Sequence, residues 1–327
     1  MKLTIVLIKA YVRSMRSPSP TRLSLAVIAA ALALSGCTTT SSDSPKVQVV
    51  AGLYPLAYTA EHIGGDLVDV ITLTPPGGHP HDLELSAKQV ADIAAADLVV
   101  YLPGAQSALD EAVAQQAATT ALDGFTGITA RAAEEHGHED ETADEHAAHA
   151  DEAATTADPH IWLDPQNLVI LGRNLADRLA AIDPTNADAY RANAHTFAGE
   201  MTALDGEFTT GLATCASRDI VVSHEAFGYL TAAYGLEQIA VSGITPDAEP
   251  SPARLAAVAA TVKEHGITTI FTETQVDPRI ADTIAAETGA RVAVLDPLES
   301  IAADVDADYA SVMRANLAAL RTGLDCA

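Results

Sequence analysis

Four short stretches carry side chains that can hold a divalent cation. They are GGHPHDLELS (77–86) with His79 and His81, DPHIWLDP (158–165) with Asp158 and His160, SHEAFGYL (223–230) with His224 and Glu225, and LDPLES (295–300) with Asp296 and Glu299. Neutral imidazole nitrogen and carboxylate oxygen both ligate borderline-to-hard metals. Three imidazoles and one carboxylate make a four-coordinate set suited to Zn²⁺, with Zn–N distances of about 2.0–2.1 Å. A zinc hydrolase would use three protein ligands and keep a position open for water. The sequence contains neither H-E-x-x-H nor G-x-S-x-G, the two signatures that would favour hydrolysis.

What could bring such distant residues together is an alternation of strands and helices. VQVVAGL (47–53), VDVITLT (68–74) and DLVVYL (97–102) read as buried strands, separated by helical stretches at 55–65, 86–96 and 107–117. After DPHIWLDP come two helices, 165–182 and about 186–213, the first capped by Asp164 with Pro165 at its first position. The second is too long for a crossover helix and reads as a connecting rod. Strands at 218–223, 236–243, 267–272 and 290–295 then alternate with helices, the last over about 304–321. The expected fold is α/β: two doubly wound parallel-sheet lobes joined by a long connecting helix. His81, His224, Glu273 and the Asp296/Glu299 pair fall at the carboxyl ends of strands, where ligands bind in open parallel sheets. Trp162 reads as core, and His62, His195 and His265 as solvated or capping residues on helices.

Composition excludes one class of partner. Lys+Arg is 18 against Asp+Glu 44, for a net charge of −26 in 327 residues, so nucleic acid is not expected. The basic residues that cluster do so near the start, where Arg13, Arg16 and Arg22 precede the apolar run Leu23–Leu34 and the stretch LSGC. A run of twelve residues is too short to span a bilayer. LSGC resembles a lipoprotein signal cleaved before Cys37, with that cysteine acylated and 37–45 as a polar tether. Removing 1–36 takes away five basic and no acidic residues, −26 − 5 = −31. Cys215 and Cys326 then remain, and in an oxidising compartment such a pair is a candidate disulfide. The mature chain divides into a first lobe at 46–165, connecting helices at 166–213 and a second lobe at 214–327.

Within the first lobe, residues 131–157 form an acidic insertion with His136, His138, His146 and His149 and nothing apolar larger than alanine. It cannot bury enough surface to fold, so it is expected to stay mobile and to collect metal loosely.

Taken with GGHPHDLEL, the histidine-rich insertion, DPHIWLDPQN, VVSHEAFGYL, AEPSPARL, FTETQVDPRIADTIAAETGA and LDPLES in this order, the chain resembles a family across about 46–327. It is the metal-ion solute-binding lipoproteins of ABC importers for zinc and manganese, the cluster A binding proteins. The resemblance implies that His81, His160 and His224 are ligands and that the fourth lies near LDPLES, with Asp296 and Glu299 both open. It gives His79 no required role, leaving it on the path into the site. Asp158, Glu225 and Glu273 are placed to orient imidazole nitrogens. The third imidazole and the histidine-rich loop point to Zn²⁺ rather than Mn²⁺ as cargo. The implied protein is no enzyme: a lipid-anchored, extracytoplasmic monomer that captures zinc and docks on an ABC permease served by its ATPase. A manganese importer component and an exported zinc hydrolase are the alternatives.

Overall fold

The computed structural model describes residues 45–132, 157–244, 250–274 and 276–327. Cys37 and the four histidines of the insertion lie outside these residues. Lys46–Ala327 forms one compact unit.

The first sheet has four parallel strands in the order β2-β1-β3-β4. They are β1 (Val47–Ala51), β2 (Val68–Thr72), β3 (Leu98–Tyr101) and β4 (Ala121–Asp123), connected through α1 (Tyr54–Gly64), α2 (Ala87–Ala95) and α3 (Ser107–Ala112). A π-helical turn at Val113–Ala117 extends α3. The second sheet repeats the plan in the order β6-β5-β7-β8, again all parallel. Its strands are β5 (Asp219–Val222), β6 (Glu237–Ala240), β7 (Thr269–Thr272) and β8 (Arg291–Val294). Between them run α6 (Gly228–Tyr234), α7 (Pro252–His265) and α8 (Arg279–Thr288), and α9 (Tyr309–Gly323) follows β8. The α/β fold expected from the alternation is the one found.

Two differences from the sequence reading have local causes. Strand β4 is only three residues long and begins on alanine, too short and too poor in β-branched residues to show a period. Helix α9 starts at Tyr309, five residues later than 304, because Asp308 and Ser311 form a reciprocal capping box that fixes its first turn there.

Between the sheets lie α4 (Pro165–Ile182) and α5 (Ala187–Gly211), the latter 25 residues long. Helix α5 buries Tyr190, Ala194, Phe197, Met201, Leu204 and Phe208, a stripe spaced alternately by four and three residues. Its first half meets the first sheet's helices, where Asn193 Nδ2 donates to the Ile63 carbonyl. Its second half meets the second lobe, where Phe208 stacks on Tyr234 at 5.1 Å and Glu207 pairs with Arg314 of α9. Strand alternation sorts the core. Val49, Val100, Ile220 and Val222 face a shared interior with α4, α5 and α9, whereas Val50 and Val99, and Val221 and Ile270, face separate outer layers. Cys215 and Cys326 are joined by a disulfide that ties the tail to the segment before β5.

Candidate metal centre

Each potential ligand is delivered by a segment beyond the carboxyl end of a strand. His81 comes from the loop after β2, His160 from the segment that follows β4 and opens α4, His224 from directly after β5, and Glu299 from the loop after β8. One ligand atom from each of these four lies within 4.8 Å of all the others. Glu299 Oε1 sits 3.2 Å from His81 Nε2, 3.2 Å from His160 Nε2 and 3.3 Å from His224 Nε2. A tetrahedron with ligands about 2.0–2.1 Å from its centre has edges of about 3.3–3.4 Å, so these three separations match the three edges that meet at one corner of a zinc coordination shell. The third contact makes no hydrogen bond despite its length, and the His224 Nε2 atom is buried without a hydrogen-bond partner.

The rings are aimed from behind. His160 Nδ1 meets Asp158 Oδ1 at 2.8 Å, and the same oxygen accepts the His160 backbone N–H at 2.9 Å. His224 Nδ1 meets Glu273 Oε2 at 2.7 Å, with Glu273 Oε1 accepting the His224 backbone N–H at 3.1 Å. A carboxylate on Nδ1 keeps the proton on that nitrogen and turns the Nε2 lone pair to the centre. Room for Asp158 depends on Gly228, where a Cβ would stand 2.6 Å from Asp158 Oδ2. The His81 loop is held otherwise: Gln106 Nε2 donates to the Pro80 carbonyl at 3.1 Å and to Thr74 Oγ1 at 3.0 Å, while Ser300 Oγ donates to the Gly78 carbonyl at 3.0 Å.

Burial by itself would disfavour charge here, yet the groups hold one another charged. It drives the His160 and His224 imidazoliums down, but Asp158 and Glu299 more than reverse this for His160. Glu273 and Glu299 push His224 up to about 10. The Glu299 carboxyl would likewise rise on burial, and the three imidazoles hold it well below the usual carboxylate range instead. In the metal-free protein this is a cage of buried opposite charges.

Of the two carboxylates left open by spacing, Glu299 joins the cluster and Asp296 does not. Asp296 accepts the Leu298 N–H at 2.8 Å and the Thr274 hydroxyl at 3.0 Å. His79 and Glu225 also lie outside the four, although Glu225 is buried beside His224. Trp162 is core, 1% exposed, as its sequence context implies, but it also touches the site, with its ring 5.2 Å from that of His160. Its position two residues after His160 was the available signal. Of the helical histidines, His62 bonds the Tyr58 carbonyl at 2.7 Å and His265 pairs with Asp219 at 2.6 Å.

Two facing α/β sheets spanned by a long helix, with ligand atoms from both meeting at one buried point, define a metal-binding protein of the solute-receptor class. Residues 49–323 match the model of the family described as zinc-uptake complex component A, periplasmic, and the chain belongs to that family. It is 36% identical over 292 residues to zinc-binding protein AdcA of Streptococcus pyogenes serotype M3, covering 86% of this chain and 57% of that protein. The chain thus spans a little over half the length of that curated relative. It is 32% identical over 295 residues to the high-affinity zinc uptake system protein ZnuA of Bacillus subtilis, covering 86% of this chain and 89% of the relative. The Zn(II)-bound ZnuA-like domain of Streptococcus pneumoniae AdcA superposes with a TM-score of 0.70 at 30% identity, over 86% of this chain and 99% of that one.

Proposed function

We propose that the protein captures Zn²⁺ through His81, His160, His224 and Glu299 and hands it to an ABC permease for uptake. The observation that carries this is the three Nε2–Oε1 separations of 3.2, 3.2 and 3.3 Å, which match three edges of a tetrahedral zinc shell, among four ligand atoms that all lie within 4.8 Å of one another. With four protein ligands no position stays open for an activated water, so binding rather than hydrolysis is the chemistry the set supports. The zinc-named relatives support the choice of cargo, as does a donor set of three imidazoles and one carboxylate, which Mn²⁺ favours less.

The chain works outside the cytoplasm as a monomer, held to the membrane by acylated Cys37 through a tether at 37–45 after removal of 1–36. Lobes at 46–165 and 214–327 close on the metal, with the helices of 166–213 limiting their movement. His136, His138, His146 and His149 collect zinc for the site, and the permease's ATPase drives uptake. The test is calorimetric titration of the metal-free chain with Zn²⁺ and Mn²⁺. One tight equivalent of zinc, weaker manganese binding and loss of both in the His81→Ala/His160→Ala/His224→Ala triple variant are expected. Unchanged tight zinc binding by the triple variant refutes the reading, and tighter manganese binding reassigns the cargo.

A further inference from the structure

Trp162 is the chain's one tryptophan, and it connects the His160 side of the centre to the Glu299 side. Its Nε1–H donates to the Pro297 carbonyl at 2.7 Å, and its own carbonyl accepts the Tyr309 hydroxyl at 2.5 Å. Pro297 stands two residues before Glu299, and between them buried Leu298 has φ 59°. A non-glycine residue in the left-handed region costs about 1–3 kcal/mol and persists only where its surroundings over-determine it. The surroundings here are specific. Asn316 of α9 accepts the Asp296 N–H at 2.9 Å and donates to the Asp296 carbonyl at 2.7 Å, and Asp296 Oδ1 takes the Leu298 N–H at 2.8 Å. The indole completes this set from the opposite lobe.

We propose that Trp162 is a positioning residue for the fourth ligand. Its N–H holds the Pro297 carbonyl so that the strained Leu298 turn presents Glu299 Oε1 to the three imidazoles, and this bond slows zinc release. The inference rests on the zinc-capture reading and adds which contact between the lobes sets how long the ion stays. Without the indole N–H, the buried Pro297 carbonyl loses its partner and Leu298 is free to relax toward ordinary φ, carrying Glu299 away.

Trp162→Phe keeps an aromatic ring beside His160 and deletes the donor together with part of the buried indole's volume, and the double variant separates the two effects, because the lost volume is felt whether or not Glu299 is intact. Zinc release to an excess of chelator, followed by stopped flow, separates the effects in wild type, Trp162→Phe, Glu299→Gln and the double variant. Trp162→Phe should release zinc about threefold to tenfold faster, the usual size of one lost hydrogen bond. In the Glu299→Gln background it should add nothing, because the atom it positions is already impaired. The same acceleration in both backgrounds, or none in either, overturns the proposal. A merely structural role for the indole would lower thermal stability without this dependence on Glu299. Tyr309→Phe, which frees the other end of Trp162, serves as a second variant if Trp162→Phe fails to fold, with the same cancellation expected. Wild type that takes up no zinc at all would instead sink the capture reading itself.

Discussion

His160 and His224 are held differently from His81, and the contrast separates a pre-built half of the centre from a lent one. The first two side chains are fully buried, each with a carboxylate on Nδ1 and with that same carboxylate bonded to the histidine's own backbone N–H. Backbone and ring are therefore held by one partner, and the ring cannot turn without losing its Nδ1 bond. His81 rides on a loop rich in proline and glycine, its side chain 5% exposed, and its placement depends on Gln106 and Ser300 bonding to neighbouring carbonyls rather than to the ring.

Substitutions should expose that difference. Changing even an outer partner of a metal ligand costs about 10–100-fold, so removing a ligand itself by His160→Ala or by His224→Ala should weaken zinc binding by at least about a hundredfold, read by chelator competition. Next come Asp158→Asn and Glu273→Gln, which leave the ligands in place but remove the charge that orients them. A loss of about 10–100-fold is expected for each. His81→Ala should cost less than His160→Ala or His224→Ala, because its ring is positioned through its loop rather than by a carboxylate on Nδ1. An equal or larger loss at His81 would erase the distinction between the two halves.

Acid should act on the pre-built half. A ligating imidazole must be neutral at its metal-facing nitrogen. With His224 pushed up to about 10 and His160 also raised, zinc has to displace protons near neutrality. The stabilisation that His224 gives the metal-free fold is complete below its ordinary value of about 6.5 and is lost as pH climbs through about 10. Zinc binding runs the other way, strengthening with rising pH and weakening in acid. Titration in two buffers of different ionisation enthalpy should show protons released per zinc, and zero release would contradict the charged cage. The smallest effect on metal should follow reduction of Cys215–Cys326. Closing a loop of 111 residues stabilises the fold by about 2–5 kcal/mol. Denaturant unfolding should therefore shift while zinc affinity holds.

Much of this architecture is legible in the chain because parallel strands buried on both faces read as short apolar runs between amphipathic helices. IVV in β5 and LVV in β3 leave little choice, and Asp164-Pro165 marks the start of α4. The alanine-led β4 carries no such run, and its pairing is supplied by β3 alongside. At the centre, strand-end placement and family resemblance pick out His81, His160 and His224. Neither could separate Asp296 from Glu299, three residues apart on one loop. A left-handed residue at Leu298 reverses the backbone between them, so that one carboxylate caps its own turn and the other faces the imidazoles.

By itself, then, the order of residues determined the kind of sheet, the strand ends from which ligands emerge and the donor types, since these follow from local periodicity and side-chain chemistry. Only the packed molecule decided which carboxylate meets the imidazoles, which acids stand behind which rings, and that a core tryptophan bonds the loop of the fourth ligand. The first and the last depend on contacts between residues more than a hundred positions apart, and the Glu273–His224 pair spans 49 positions, a geometry set when the sheets pack on α4 and α5 and one that no local pattern encodes; only the Asp158–His160 pair, two residues apart, is local.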